Sequence, residues 1–384
     1  MESLIRFFNI PKSSFFLFGP RGTGKSTWLR KHFSENTLFL DLLKPEMFRL
    51  LSAKPERLSE MILGDKKIKT VIIDEIQKIP ELLDQVHSLI EEHKKIQFVM
   101  TGSSARKLKR TGVNLLAGRA LVKTFHPFMA AELENRFDIE KALSQGLIPL
   151  VVDATVPDHT LQSYAALYLR EEVQTEGLVR NIGSFSRFLE ALSFSHGSVL
   201  NLSHVARECQ VGSKTAEGFL EVLEDLLLAS RLPCFQKRAK RAVINHPKFY
   251  YFDCGVFRSL RPTGPLDEPE IVSGAALEGL VYQHLQAWIA YSENKCSLSY
   301  WRTRAGNEVD FIVYGPNEFY AIEVKNSARI RSEDYSGLKA FGEDYPKASR
   351  VILYRGKHRY EHDGILCLPC ETFLKNLKPG TPLS

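Results

Sequence analysis

The chain has 384 residues, of which 44% are hydrophobic and 25% charged, a balance that excludes a disordered polymer and disfavours a membrane-embedded protein. That length exceeds what one hydrophobic core usually supports, so two or three domains are expected. The net charge of +6 is mild, so where the charge sits matters more than its sum.

No apolar run approaches the ~18 to 20 residues of a membrane span, and the N-terminus leads directly into a glycine-rich loop, so no membrane partner and a cytoplasmic location are expected. Six cysteines at 209, 234, 254, 296, 367 and 370 are scattered, unlike a disulfide framework. Cys367-Leu-Pro-Cys370 has no second cysteine pair and reads as two buried thiols rather than a zinc site.

Phe15-Phe16-Leu17-Phe18 reads as a short buried strand, and Thr27-Trp28-Leu29-Arg30-Lys31 begins a helix. Between them lies Gly19-Pro20-Arg21-Gly22-Thr23-Gly24-Lys25-Ser26, a phosphate-binding loop in the strand-loop-helix context that such a loop requires. Its glycines let successive N–H groups turn inward around phosphates, and the helix start adds positive potential. Lys25 should reach the β and γ phosphates, and Ser26 should place its hydroxyl on Mg²⁺.

A second apolar strand, Val71-Ile72-Ile73, ends in Asp74-Glu75. Asp74 is placed to hold Mg²⁺ through water, and Glu75 to act as general base on the attacking water. A third strand, Ile96 to Met100, runs into Thr101-Gly102-Ser103-Ser104, making Thr101 or Ser103 a candidate sensor of the γ-phosphate. No Asn-Lys-x-Asp sequence is present to read guanine, so ATP is favoured over GTP.

The phrases Ile73 to Leu82 (IDEIQKIPEL), Thr101-Gly102-Ser103-Ser104, Leu116-Ala117-Gly118-Arg119 and Lys248 to Asp253 (KFYYFD) resemble the AAA+ superfamily. Within it they are similar to bacterial and archaeal ATPases whose C-terminal half is a domain of unknown function. The resemblance covers nearly the whole chain. It implies a homo-oligomer, with a hexameric ring as one form, and an arginine that completes a neighbouring subunit's site. Arg119 is the candidate; the alternative is a local ion pair.

Two stretches are basic without an acid: Ser103 to Lys123, and Arg231 to Tyr250. Either could contact phosphates, and either could be a solvated face. Between them, Leu202 to Ser230 has the order of a helix-turn-helix. Ser203 and Ser213 are expected to cap its helices, and Val211-Gly212 to form the turn. Ala216, Phe219, Leu220, Leu223, Leu226 and Leu227 share one face of the second helix as core.

The exposed face of that helix carries Lys214 and Thr215 beside Glu217, Glu221 and Glu224, which disfavours base reading. Leu232 to Gln236 and Ala242 to Asn245 read as hairpin strands flanking a basic tip, as in winged helices. Lys237, Arg238, Lys240 and Arg241 are then the candidate nucleic-acid contacts, with DNA preferred over RNA.

Asn307 to Tyr314 and Phe319 to Lys325 read as a hairpin around Gly315-Pro-Asn-Glu318. In simple register, positions summing to 633 face each other, so Asp310 sits opposite Glu323 with Cβ atoms about 5 Å apart. Lys325 shares their face because strand side chains alternate. Opposed carboxylates call for a cation, and Mg²⁺ or Mn²⁺ would serve. Asp310 followed by Glu323-x-Lys325 at a hairpin end resembles the PD-(D/E)xK nuclease superfamily. A helix over Ala275 to Ala290 supplies Glu278 as the further helical acid, and Gln283, His284, Trp301 and Arg302 fall where accessory groups lie.

The expected fold class is α/β. A P-loop AAA+ ATPase domain with a parallel sheet (1–135) is followed by a connector (136–160), a helical and winged-helix domain (161–262) and a PD-(D/E)xK-like α/β domain (263–384). Two functions stay open: an ATP-hydrolysing protein that engages nucleic acid and cuts it with a metal, and a nucleotide-controlled switch whose C-terminal domain binds DNA or a protein without cleavage. A sequence-specific regulator ranks behind both.

Overall fold

The computed structural model describes residues 5–33, 35–103, 115–168, 181–237, 241, 246–265, 267–292 and 295–383. They form two compact units: residues 8–126 with 225–227, and the remainder.

The first unit is built on five parallel strands: β1 (Phe15–Phe18), β2 (Thr37–Asp41), β3 (Thr70–Asp74), β4 (Gln97–Gly102) and β5 (Leu121–Thr124), in the order β2-β3-β4-β1-β5. Phe15 to Phe18 are all buried, as are Thr70 to Asp74; continuous apolar runs are what a parallel sheet covered on both faces demands. Helices α1 (Lys25–His32), α2 (Pro45–Ala53), α3 (Arg57–Gly64) and α4 (Leu82–Glu92) belong to this unit. Leu51, Leu58, Ile62, Leu82, Leu83 and Val86 pack with sheet residues such as Phe16, Val71 and Phe98 in one core. From β1 the chain crosses to β2 on one side, and from β4 it returns to β5 on the other. In open α/β sheets such a reversal marks where ligands bind, beyond the carboxyl ends of the strands.

The second unit contains a run of helices, α5 (Ile182–Ser193), α6 (Leu202–Glu208) and α7 (Ser213–Asp225), and a small sheet of β6 (Ser198–Val199), β7 (Ala229–Leu232) and β8 (Lys248–Tyr251) in the order β6-β8-β7. The helix-turn-helix order is present, with two corrections. Helix α6 is capped by Asn201, whose side chain accepts from His204 N–H at 3.1 Å, because Asn201 and not Ser203 sits at the residue before the first turn. The hairpin strands are Ala229–Leu232 and Lys248–Tyr251, paired antiparallel. The segment after Leu232 leaves this sheet for another edge, where Phe235 N–H donates to Tyr300 O at 2.6 Å. Residues 242–245 lie outside the described residues.

Beyond helix α8 (Pro269–Tyr291), six strands form one sheet: β9 (Ser297–Arg302), β10 (Glu308–Tyr314), β11 (Phe319–Lys325), β12 (Ser349–Tyr354), β13 (Tyr360–His362) and β14 (Ile365–Pro369), in the order β13-β14-β12-β11-β10-β9. Phe311 pairs with Ile322 and Tyr314 with Phe319, the register expected from the sequence. Helix α9 (Ser336–Asp344) contributes Leu338 and Phe341 to the core against Val309, Ile312 and Ile352. Trp301 is in that core. Cys367 and Cys370 are buried free thiols, the latter opening helix α10 (Cys370–Asn376).

Candidate functional site

The phosphate loop owes its shape to two glycines in the left-handed region, Gly22 at φ 81° and Gly24 at φ 85°, a conformation that side chains oppose. Gly19 is required for space, since a Cβ there would stand 2.4 Å from the Phe125 carbonyl oxygen. Thr23 Oγ1 donates to Pro20 O at 2.8 Å and closes the turn. Lys25 Nζ, buried at the start of α1, donates to Gly19 O at 2.7 Å and Pro20 O at 3.1 Å. Its ammonium is thereby held at the loop rather than in solvent. Ser26 is half-buried beside it, while Arg21 and Thr27 are exposed.

Because β4 lies between β1 and β3, Thr101 falls next to the acidic pair. Its hydroxyl donates to Asp74 Oδ1 and accepts from Glu75 N–H at 3.1 Å. Thr101 is fully buried and Asp74 is 3% exposed. The Thr101 hydroxyl is therefore engaged by the Asp74 carboxylate and the Glu75 amide, while Ser103, the other candidate sensor, meets Gln77. Glu75 itself has φ 63°, a conformation that costs a non-glycine residue on the order of 1 kcal/mol and turns the chain sharply out of β3.

Gln77, buried one step further on, donates through Nε2 to Glu75 Oε2 and to Ser103 Oγ at 3.4 Å. It ties Glu75 to Ser103. The sequence offered it only as one letter of a resembling phrase, although an amide two residues after a candidate catalytic acid is a signal in itself. Ser104 and the basic residues at 106, 107, 109 and 110 lie outside the described residues.

Arg119 pairs through Nε with Glu91 Oε1, both side chains being substantially exposed, and the guanidinium lowers the Glu91 pKa by hydrogen bond and charge. An exposed pair of this kind contributes little stability and breaks readily.

The C-terminal residues do converge, around an unexpected centre. Lys248 on β8, 2% exposed, places Nζ 3.0 Å from Glu278 Oε1 on α8, 2.6 Å from Glu308 Oε1 and 3.0 Å from Asp310 Oδ1 on β10. Tyr250 OH also donates to Glu278 Oε1 at 2.6 Å. Glu323 is met by Lys325 at 2.8 Å, and Lys325 also lies 3.7 Å from Asp334. Val324 N–H donates to Asp310 Oδ2 at 2.9 Å.

Burial alone would pull the Lys248 pKa down, but Tyr250, Asp310, Glu278 and Glu308 outweigh it and hold the ammonium firmly charged. Burial, reinforced by Asp310, raises Glu278 to about 7 and Glu323 to about 8. Among the described residues no group of three or more His, Cys, Asp or Glu side chains is arranged to hold a metal ion. The expected metal set of Glu278, Asp310 and Glu323 is not drawn together into such a group: lysines supply the positive charge that the opposed carboxylates require.

These shifts carry a sign. In the unfolded chain both glutamates ionise near 4.5, whereas in the fold they hold their protons to about 7 and 8. The unfolded state therefore binds fewer protons between those values, and stability falls as pH rises through the window, by up to about 1.4 kcal/mol per pH unit per group. Glu323→Gln is expected to flatten the fall in urea-unfolding free energy near its upper end; an unchanged pH slope would contradict the assignment.

The expected accessory groups have partners within the fold. His284 donates from Nδ1 to Leu280 O at 2.7 Å and accepts Ala130 N–H at Nε2 at 2.8 Å, and burial lowers its pKa to about 4. Gln283 Oε1 accepts Cys254 N–H at 3.1 Å. Arg302 lies 3.3 Å from Glu308.

The basic stretch is similarly engaged. Arg231 binds Glu217 at 2.8 Å and Glu224 at 2.6 Å, Arg241 pairs with Glu343 and Asp344, and Lys237 Nζ sits 4.1 Å over the Tyr314 ring. A phosphate at Arg231 or Arg241 would compete with carboxylates already in place. Arg238 and Lys240 lie outside the described residues.

A parallel sheet, a glycine-shaped phosphate loop and an acidic pair at the adjoining strand end define a P-loop nucleotide-binding protein. Residues 12–134 match the model of an AAA domain, which supports nucleotide binding by that part of the chain. Residues 136–267 and 273–373 match two domains of unknown function, DUF8612 and DUF4143. No curated protein matches the chain.

Solved structures with detectable likeness include domain III of the Thermotoga maritima replication initiation protein DnaA, at 16% identity over 44% of this chain and 81% of that one, with a TM-score of 0.26. Replication initiator DnaA bound to AMPPCP and single-stranded DNA is 13% identical over 55% and 82%, with a TM-score of 0.27. AMPPCP-bound DnaA from Aquifex aeolicus is 14% identical over 56% and 82%, with a TM-score of 0.26. Likenesses of that strength carry no weight for what this chain binds. Among the described residues no helix is long and apolar enough to cross a membrane.

Proposed function

We propose that the chain is an ATP-hydrolysing switch whose C-terminal half engages a partner without cutting it. The observation that carries the ATPase reading is the Thr101 hydroxyl fixing Asp74 and Glu75 together beside the phosphate loop. The loop amides and Lys25 would hold the phosphates of ATP, and Ser26 and Asp74 would hold Mg²⁺, which when bound supplies charge neutralisation at the phosphates. Glu75 takes a proton from the attacking water. Arg119, freed from Glu91, would act on the nucleotide of a neighbouring copy, in keeping with the AAA+ resemblance.

The helix-turn-helix with its hairpin fits a winged-helix module, and the six-stranded sheet with α8 fits a PD-(D/E)xK-like fold. Non-cleaving engagement, of DNA or of protein, is favoured over nuclease action because Lys248 sits among the acids that a metal would need.

Lys25→Ala tests the nucleotide assignment. Its buried ammonium contributes a full charge to phosphate binding, so the affinity for a fluorescent ATP analogue is expected to fall at least tenfold, about 1.4 kcal/mol or more. Unchanged affinity would refute the site.

A further inference from the structure

We propose that Lys248 is the permanent cation of the C-terminal acidic cluster, taking the position that a divalent metal would take between Glu278 and Asp310. The inference deepens the non-cleaving reading above and depends on it.

The geometry carries it. Three carboxylates from two elements, Glu278 on α8 and Glu308 with Asp310 on β10, direct oxygens at one point, and Lys248 Nζ lies within 3.0 Å of all three. The lysine arrives from outside the six-stranded sheet, on a strand of the three-stranded one. An ammonium donates three hydrogen bonds and accepts none, so three acceptors satisfy it completely. A second cation among the same oxygens would meet a full positive charge at close range with little solvent to screen it.

The lysine also links parts of the unit that a metal confined to the α8–β10 site would not. With Nζ bonded to α8 and β10, strand β8 is tied to both. Tyr250, two residues on and therefore on the same face of β8, repeats the tie to Glu278 at 2.6 Å. One strand thus contributes both the cation and a phenol to the cluster. The sequence Lys248-Phe-Tyr-Tyr places them there by alternation alone.

The test uses the nucleotide-free full chain and Mn²⁺ as probe, with binding read by electron paramagnetic resonance and stability by thermal unfolding. Wild type should show no Mn²⁺ site that Asp310→Asn removes, and no change in Tm on adding Mn²⁺. Lys248→Met should lower Tm by about 5–15 °C, because buried carboxylates lose their partner. The same variant should gain a Mn²⁺ site, and Mn²⁺ should restore part of the lost Tm.

Lys248→Arg, which keeps the charge, should stay free of Mn²⁺ and serves if Lys248→Met does not fold. A wild-type site abolished by Asp310→Asn overturns the proposal even where DNA stays uncut, leaving the non-cleaving reading intact. Mn²⁺-dependent cleavage of DNA by wild type, lost in Asp310→Asn, overturns both. A folded Lys248→Met that gains no site shows that the lysine does not stand in for a metal.

Discussion

Glu75→Gln is expected to reduce ATP turnover by about 10²–10⁴-fold, the range that a positioned general base contributes, while nucleotide binding persists. The amide keeps the size of the side chain but cannot take a proton from water. It leaves Asp74, Lys25 and the loop untouched, so binding and chemistry separate in one variant. The backbone at Glu75 is left-handed, and Gln tolerates that conformation about as well as Glu, so stability should change little. Gln77 now faces an amide rather than a carboxylate and can reorient to donate to its oxygen. Steady-state phosphate release, set beside equilibrium binding of an ATP analogue, is the measurement; normal turnover in a variant that still binds would remove Glu75 from the reaction.

The phosphate loop was legible because its chemistry is local. Gly22 and Gly24 must adopt φ values open to few other residues, and strand and helix flank them within a dozen positions. The hairpin register of β10 and β11 was legible for the same reason: a four-residue loop and alternating apolar residues leave one pairing that buries them together, and Phe311 does face Ile322.

Long-range partners were not legible. Nothing near Asp310 in sequence announces that Lys248, sixty-two positions earlier, occupies its carboxylate. The opposed acids revealed a need for positive charge, but a metal and a lysine satisfy that need equally on paper. Likewise the acid-free run from Arg231 to Tyr250 reads as a phosphate-binding surface only while its partners are unseen. Glu217 and Glu224 come from the preceding helix, and Glu343 and Asp344 come from one that lies a hundred residues later. A charge run in sequence is a statement about neighbours along the chain, and ion pairs are made with neighbours in space.

Thr101 shows the same limit inside the nucleotide site, and Thr101→Val measures it. Sequence places the residue at the correct strand end, but only the strand order, with β4 between β1 and β3, reveals that its hydroxyl serves the acids. Valine keeps the shape and removes both hydrogen bonds. The buried Asp74 carboxylate loses a donor and Glu75 N–H loses an acceptor, which should cost about 1–3 kcal/mol of stability. Because the group that orients the carboxylate proposed to hold Mg²⁺ has gone, the Mg²⁺ concentration for half-maximal ATPase should rise about 10–100-fold. A γ-phosphate sensor behaves differently: its loss would weaken discrimination between ATP and ADP without moving the Mg²⁺ dependence. That pattern is expected of Ser103→Ala, whose hydroxyl touches Gln77 and neither acid among its hydrogen bonds. Should Thr101→Val leave the Mg²⁺ dependence unmoved, Asp74 is held by something other than this hydroxyl, and the organising role assigned to Thr101 fails.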